Sequence, residues 1–281
     1  MPSWRRCRAG AEALEPRALP AELPLFEDLP GAPADWALFL DLDGTLIDIA
    51  ARPEAVQVTD DLLPALARLT NLLDGAIAVV TGRRLADIDN LLGPLPLPVA
   101  GLHGAAIRID GELLAAEGAQ DIPAPLTEAL LGFVHARPGL LLEPKGASTA
   151  VHYRNAPERA AEVEAEVFRL VGLFAPGHDV QPGKMVFEIK PRGVNKGLAI
   201  GKLLETPRFR GRRPAVFGDD LTDEAGFLLA RGKGGVATIV GEPPRPTAAD
   251  FRLPGPAAMR DWLGRAFAGE AGQADAAKKS A

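Results

Sequence analysis

Residues 36–47 read Trp-Ala-Leu-Phe-Leu-Asp-Leu-Asp-Gly-Thr-Leu-Ile, an apolar run that ends in two carboxylates. The run from 37 to 40 is typical of a strand that is covered on both faces of a parallel sheet. Asp41 and Asp43 follow it, and residues two apart on a strand point the same way. Two like charges this close favour a bound divalent cation or a raised pKa on one of them. An Asp-Gly hairpin turn is the alternative interpretation of these residues.

The next segments alternate between helix and strand. Residues 60–73 carry leucines at helical spacing, 76–80 form a buried apolar run that ends at Thr81, and 85–92 have the pattern of a short helix. This alternation predicts an α/β fold with a Rossmann-like, doubly wound parallel sheet. Thr81 should then lie at the same sheet edge as Asp41, where ligands bind in such folds.

From residue 117 to residue 189 the pattern changes to a helix followed by two strands, and this αββ order occurs twice. It predicts an inserted α+β cap domain over the ligand edge of a core formed by 34–116 and 190–268. Residues 1–33, which are rich in Ala, Pro, Glu and Arg, predict a loosely ordered arm, and residues 269–281 a flexible tail.

Two further groups of charged residues follow the cap. Lys196 falls in the first turn of a predicted helix, where a lysine opposes the helix dipole, so a purely structural role is disfavoured. A short strand at 215–217 precedes Gly-Asp-Asp-Leu-Thr-Asp-Glu at 218–224. Its carboxylates suit Mg²⁺, which prefers oxygen ligands. The alternative is an acidic first turn of a helix, which the dipole would favour.

Composition narrows the functional classes. The chain has 281 residues, 24% of them charged, and a formal net charge of −6, which argues against a nucleic-acid-binding surface. The single cysteine, Cys7, excludes an intrachain disulfide framework and fits a reducing compartment. No apolar run approaches the roughly 20 residues that span a membrane. We therefore expect a cytoplasmic monomer that binds a small molecule, and neither nucleic acid nor membrane.

The segments around Asp41, Thr81, Lys196 and 218–224 resemble, in this order, the four core motifs of the haloacid dehalogenase (HAD) superfamily of phosphatases. The resemblance implies that Asp41 is the nucleophile and Asp43 the general acid and base. It also implies that Thr81 and Lys196 hold the phosphoryl oxygens. The Mg²⁺ ligands that it implies are Asp41, Asp43 through its main-chain carbonyl, Asp219 and Asp220, with Asp223 in support.

Three segments of the cap, 143–146, 152–154 and 183–191, resemble the trehalose-6-phosphate phosphatases within that superfamily. The resemblance implies hydrolysis of trehalose 6-phosphate through an aspartyl phosphate, with charged cap residues binding the sugar hydroxyls. Charged side chains make the stronger hydrogen bonds to such groups. The alternative is that these residues are surface ion pairs. The residues assigned to substrate binding are Gly44, Arg83, His103, Glu143, Lys145, Arg154, Lys184 and Glu188.

Other functions remain open from the sequence. A related phosphatase of sucrose 6-phosphate or mannosyl-3-phosphoglycerate would share the core and differ in the cap. A phosphomutase would start from the same aspartyl phosphate, and a sensor would bind the sugar phosphate without turnover. The intact set Asp41, Asp43, Thr81, Lys196 and Asp219 argues against the sensor, because a binding module needs no second carboxylate.

Overall fold

The computed structural model describes residues 19–50, 56–93, 95–115, 121–183, 185–243 and 245–267. Its strands, in chain order, are β1 Trp36–Leu40, β2 Ile77–Val80, β3 Val99–Gly101, β4 Ala106–Ile109, β5 Glu112–Ala115, β6 Leu141–Pro144, β7 Thr149–His152, β8 His178–Gly183, β9 Val186–Pro191, β10 Arg213–Gly218, β11 Val236–Val240 and β12 Phe251–Leu253. Its α-helices are α1 Leu62–Leu72, α2 Leu85–Leu92, α3 Ala124–His135, α4 Ala160–Phe174, α5 Lys196–Glu205, α6 Glu224–Gly232 and α7 Pro256–Arg265.

The strands of the larger sheet have the order β12-β11-β10-β1-β2-β3-β4-β5. Neighbouring strands are parallel from β12 to β3, whereas β3, β4 and β5 are antiparallel to one another. Every residue of β1 is buried, as its uninterrupted apolar sequence predicts for an inner strand with helices on both faces. The α/β class with a parallel core sheet is therefore confirmed. It places the carboxyl ends of β1, β2 and β10 side by side.

A second sheet, of order β6-β7-β9-β8, is antiparallel throughout. Helices α3 and α4 pack on it around a separate apolar cluster that includes Leu130, Val151, Val167 and Ile189. The predicted αββ doubling is thus present as α3-β6-β7 and α4-β8-β9. The domain boundary expected between 189 and 190 falls inside β9, because the last strand of this sheet continues to Pro191.

The segment before β1, predicted as part of a loosely ordered arm, carries side chains that dock on the core. Phe26 and Leu29 are buried in the core of the larger sheet. The Phe26 ring makes edge contacts with Phe217 and Trp262, with centroids 5.3 Å and 5.2 Å away. The main chain of Leu25 pairs with Arg252. Phe26 and Leu29 thus anchor this segment to the core, although most residues of 19–33 are exposed.

Strand β12, which completes the parallel half of the larger sheet, was not predicted. Helix α6 corresponds to the alternative considered for 218–224, because it begins at Glu224, and it packs against β10 and β11. Within the described ranges, no helix combines the length and apolarity that crossing a membrane requires.

Candidate active site

Asp41 follows the central strand β1 directly and is buried. The ammonium of Lys196, the first residue of α5, lies 2.7 Å from Oδ1 of Asp41 and 2.7 Å from Oδ1 of Asp223. Lys196 itself is only 3% exposed. A lysine so thoroughly withdrawn from water requires compensating charge, and the two carboxylates supply it, so its pKa is raised despite burial.

Asp41, Asp219 and Asp223 form an acidic group, with one carboxylate oxygen of each lying within 4.8 Å of the others. Burial, opposed by Lys196 and reinforced by Asp223 and Asp219, raises the pKa of Asp41 well above its usual range. Burial and the Asp223 carboxylate raise the pKa of Asp219 to about 7. The sequence predicted a raised pKa from repulsion between Asp41 and Asp43, whereas the causes here are burial and the carboxylates of Asp223 and Asp219. The raised pKa values of Asp41 and Asp219 indicate that the nearby positive charge does not offset their burial and mutual repulsion.

The acidic group fits a divalent cation on two observations. Oδ1 of Asp219 is buried, and among the described residues no group donates a hydrogen bond to it. With all three carboxylates ionised, Lys196 leaves two uncompensated negative charges, which equal the charge of one divalent cation. Buried charges left in this way are costly unless a counter-ion is present. Carboxylate oxygens are the ligands that hard cations such as Mg²⁺ prefer.

The turn after β1 lies against the acidic group at Gly44. Gly44 has φ +84°, and a Cβ at this position would lie 2.2 Å from Oδ2 of Asp219. A side chain at 44 would therefore collide with the acidic group in addition to straining the backbone. Gly44, assigned to substrate binding, contributes here by making room for the Asp219 carboxylate.

The loop after β10 arranges its acids differently from the sequence prediction. Oδ2 of Asp223 accepts hydrogen bonds from the main-chain N–H groups of Asp219 and Asp220, at 3.1 Å and 3.0 Å. Asp220 instead caps the short 3₁₀ helix Leu221–Asp223, its Oδ1 accepting from the N–H of Leu221. The side chain of Asp220, predicted as a metal ligand, therefore does not join the acidic group. Asp223, predicted as support, does.

Asp43 is also set apart from the acidic group. Its two carboxylate oxygens accept hydrogen bonds from Nε and Nη2 of Arg83, both at 2.6 Å. The metal ligand predicted at this position was its main-chain carbonyl, so the side-chain pair does not conflict with it. Arg83, predicted to bind substrate, contacts the predicted acid and base directly.

Thr81 and His103 line the edge beyond β2. Thr81 is 1% exposed, its N–H donates to the carbonyl of Ala100, and its Oγ1 accepts from the N–H of Arg83. The N–H of His103 donates to the carbonyl of Thr81 at 2.9 Å, which fixes the two loops together. A Cβ on Gly82 would lie 2.5 Å from Nε2 of His103, so only glycine lets the imidazole lie against this loop.

Glu188, on an inner strand of the second sheet, reaches across to the larger sheet. Its Oε2 lies 2.7 Å from Nε2 of His103, and its Oε1 accepts a 3.4 Å hydrogen bond from Ser148. Burial alone would raise the pKa of Glu188, but His103, Lys145 and Lys190 outweigh it and lower the pKa to about 2. Nδ1 of His103 is buried, and no described residue donates to it or accepts from it.

A second charged cluster lies on β6 and β7. Oε2 of Glu143 lies 2.9 Å from Nε2 of His152 and 3.6 Å from the ammonium of Lys145. The hydrogen bond from His152 lowers the pKa of Glu143 against the effect of burial, and Lys145 adds to it. Lys145 also lowers the pKa of Glu188, so the two cap carboxylates share one cation. The side chain of Glu188 is 13% exposed, whereas that of Glu143 is 29% exposed and forms an ion pair with Lys145, as the alternative interpretation also predicts.

Arg154 and Lys184 are the remaining residues that were predicted to bind substrate. Arg154 is exposed and follows β7, whose last residue is His152. Lys184 lies outside the described residues. Sequence reasoning missed the contribution of His152 and of Ser148, although both lie within or beside segments singled out for the cap. The contact between Glu143 and His152 follows from the register of β6 and β7, which places Glu143 opposite Ala150 and thus diagonally from His152.

Comparisons with known proteins agree with this geometry. The model of the family described as trehalose-phosphatase matches residues 39–257. A probable trehalose-phosphate phosphatase of Sinorhizobium fredii is 42% identical over 227 residues, which cover 80% of this chain and 85% of the relative. The trehalose-6-phosphate phosphatase of Escherichia coli is 38% identical over 241 residues, which cover 85% and 89%.

A solved structure gives the same result. The crystal structure described as a trehalose-6-phosphate phosphatase related protein superimposes with a TM-score of 0.69 at 29% sequence identity. The alignment covers 81% of this chain and 95% of that structure. Residues 39–257, which the family model matches, contain the second sheet and every residue of the acidic group.

Proposed function

The chain belongs to the trehalose-phosphatase family, whose members are phosphoric monoester hydrolases, and we propose that it hydrolyses trehalose 6-phosphate to trehalose and inorganic phosphate. The observation that supports this most directly is the position of Lys196 between Asp41 and Asp223, 2.7 Å from each, beside the orphaned oxygen of Asp219. A nucleophilic carboxylate, a phosphate-binding ammonium and a cation site thus share one sheet edge.

In the first step an Asp41 oxygen attacks phosphorus in line, and the bond from phosphorus to the sugar oxygen breaks. Asp43 donates a proton to the departing oxygen, so the sugar leaves as a neutral alcohol. Covalent capture on Asp41 divides one very slow hydrolysis into two easier reactions. Lys196 holds Asp41 in position and offsets charge on the equatorial oxygens, while the Thr81 hydroxyl is a further donor to them.

In the second step Asp43 accepts a proton from a water molecule, whose oxygen attacks the phosphorus of the aspartyl phosphate. The bond between phosphorus and Asp41 breaks, and inorganic phosphate leaves. Asp41, Asp219 and Asp223, with the main-chain carbonyl of Asp43, are the groups that would hold a divalent cation, which we propose is Mg²⁺. Such a cation supplies charge neutralisation that lets an anionic carboxylate meet an anionic phosphate.

The cap supplies specificity in this proposal. Glu143, Lys145, Glu188 and His103 present charged or polar atoms above the same edge, and a disaccharide has many hydroxyl groups to satisfy. We also propose that the chain acts as a monomer, and its single cysteine supports a reducing, cytoplasmic compartment.

A phosphate-release assay over a panel of sugar phosphates, with and without Mg²⁺, tests the proposal. Trehalose 6-phosphate should be the preferred substrate, compared with sucrose 6-phosphate, mannosyl-3-phosphoglycerate and glucose 6-phosphate. Preference for another ester would reassign the substrate, and transfer of the phosphoryl group to a second sugar would indicate a mutase. The absence of any turnover would contradict the enzyme assignment.

A further inference from the structure

We propose that Arg83 is a positioning residue that acts through Asp43, keeping this carboxylate out of the acidic group and on the side of the leaving sugar. The inference rests on the proposed function, because it takes Asp43 to be the acid that protonates the sugar oxygen. It adds a role for Arg83 to the sequence prediction, in which this residue binds substrate.

The contact between the two residues has the geometry of a strong, directional ion pair. Nε and Nη2 of Arg83 donate one hydrogen bond to each oxygen of Asp43, both at 2.6 Å. A guanidinium that engages both carboxylate oxygens fixes the plane of the carboxylate as well as its distance. A lysine ammonium at the same place could not impose that orientation.

Arg83 is the fixed member of the pair. Its side chain is 14% exposed, compared with 34% for Asp43. The N–H of Arg83 donates to Thr81 Oγ1, and its carbonyl accepts from the N–H of Leu102 at 3.0 Å. The backbone of Arg83 is thus joined to the two loops that border the site. The orientation of Asp43 therefore follows from the position of Arg83.

The pair separates two carboxylates that would otherwise compete for the same place. Asp43 is two residues from Asp41, in a turn closed by the hydrogen bond from the Gly44 N–H to the carbonyl of Ile47. A free carboxylate there would be attracted to a divalent cation bound by the acidic group. Arg83 offers Asp43 a competing cation, so the Asp43 carboxylate is held by the guanidinium and not by the acidic group.

The same geometry implies a step before proton transfer. Both oxygens of Asp43 accept hydrogen bonds from Arg83, so one of these bonds has to open. The freed oxygen can then take up a proton from solvent and deliver it to the sugar oxygen. The arriving phosphate group is anionic and provides a competing acceptor for the guanidinium. Substrate binding is then what releases Asp43 for its role.

The dependence on the leaving group tests this inference. A p-nitrophenolate leaving group needs little protonation, whereas the trehalose oxygen needs a proton, so the two esters report differently on Asp43. Arg83→Gln should lower kcat for trehalose 6-phosphate by at least about tenfold, since general acid catalysis contributes that much or more. Its release of p-nitrophenolate in the first turnover should stay close to the wild-type rate, because this ester needs Asp43 only in the second step, when water attacks the aspartyl phosphate. The kcat of Arg83→Lys for trehalose 6-phosphate should lie between those of wild type and Arg83→Gln.

Arg84→Gln is the matched control, because Arg84 is adjacent but pairs with Asp87 at the surface. Its kcat for both esters should equal that of wild type. Equal losses of Arg83→Gln on both esters, a raised KM with unchanged kcat, or no loss at all would each overturn the inference. Failure of the wild-type chain to release phosphate from trehalose 6-phosphate would instead contradict the proposed function.

A crystal structure of the Arg83→Gln variant with Mg²⁺ gives a readout that does not depend on activity. The Asp43 carboxylate should turn towards the acidic group and approach the cation. An Asp43 side chain that keeps its wild-type orientation would show that Arg83 does not hold it there.

Discussion

Nε2 of His103 lies 2.7 Å from Oε2 of Glu188, and this contact joins the ligand edge of the larger sheet to an inner strand of the cap. His103 has φ +55°, and its ring rests against Gly82 in the loop after β2. A non-glycine residue in this conformation is strained, so the surrounding packing has to hold it. The core therefore presents a fixed imidazole to the cap carboxylate.

This contact predicts a pH-dependent contribution to stability. The pKa of Glu188 is lowered from its ordinary value of 4.5 to about 2, so its stabilising contribution is complete above the unfolded pKa and is lost as the pH falls towards 2. The contribution is on the order of 3 kcal/mol at neutral pH. Urea unfolding of Glu188→Gln and wild type should differ by this amount at pH 6 and converge near pH 2.

Glu164→Gln, on the exposed face of α4, is the control and should follow wild type at both pH values. A difference between Glu188→Gln and wild type that does not change with pH would show that the carboxylate charge contributes nothing.

Asp41→Asn should reduce phosphate release by at least about 10³-fold, because the amide cannot form the covalent intermediate. Burial raises the pKa of Asp41, so its charge is unfavourable in the metal-free fold, and an uncharged amide should not lower the midpoint of thermal unfolding. Circular dichroism checks the fold and a phosphate assay the rate. Activity within tenfold of wild type would rule out Asp41 as nucleophile.

Lys196→Met should destabilise the metal-free chain by about 3 kcal/mol, because removal of one member of a buried ion pair leaves the carboxylates of Asp41 and Asp223 uncompensated. Urea unfolding in the presence of EDTA measures this directly. Lys202→Met, in the last turn of the same helix, is the control and should stay within about 0.5 kcal/mol of wild type. Equal effects of the two substitutions would contradict the assignment of Lys196.

Metal removal should abolish activity, and added Mg²⁺ should restore it. Mg²⁺ at about 100 times its Kd should also raise the free energy of unfolding by about 2.7 kcal/mol, because the ion binds only the folded acidic group. Asp219→Asn removes the orphaned carboxylate and should lose this stabilisation, whereas Asp220→Asn should keep it. Loss of Mg²⁺ binding in Asp220→Asn would restore the ligand assignment made from the sequence.

Glu143→Gln should raise KM for trehalose 6-phosphate by about tenfold, because a hydrogen bond to a charged group contributes more than one to a neutral amide. The kcat/KM for p-nitrophenyl phosphate, which carries no sugar, should not change. Glu128→Gln, exposed on α3, is the matched control for steady-state kinetics. An equal change for both esters would show that Glu143 acts on the phosphoryl group or the fold and not on the sugar.

The sequence was most informative where chemistry is concentrated at strand ends. Asp41 and Lys196 were placed correctly because each lies at the end of one element or the beginning of another, and these positions depend on local pattern alone. The family inferred from these motifs is confirmed by the match over residues 39–257. The substrate-binding roles of the cap residues stay predictions.

What the sequence left undecided depends on register and on the direction of single turns. The exchange of Asp220 for Asp223 arises from one turn of 3₁₀ helix, which points one carboxylate outwards and the other inwards. The pair Glu143–His152 requires the register of two short strands. The burial of Phe26 requires its partners Phe217 and Trp262, which are remote in sequence.

Strand β9 ends at Pro191 and α5 begins at Lys196, so only residues 192–195 connect the cap sheet to the ammonium at the reaction centre. A connection of four residues allows the cap sheet little movement relative to α5. Swapping this cap for one from another phosphatase would therefore require the graft to rejoin the host chain at the same length and angle. Lengthening it by a few glycines should uncouple displacement of the cap from the helix that carries the lysine.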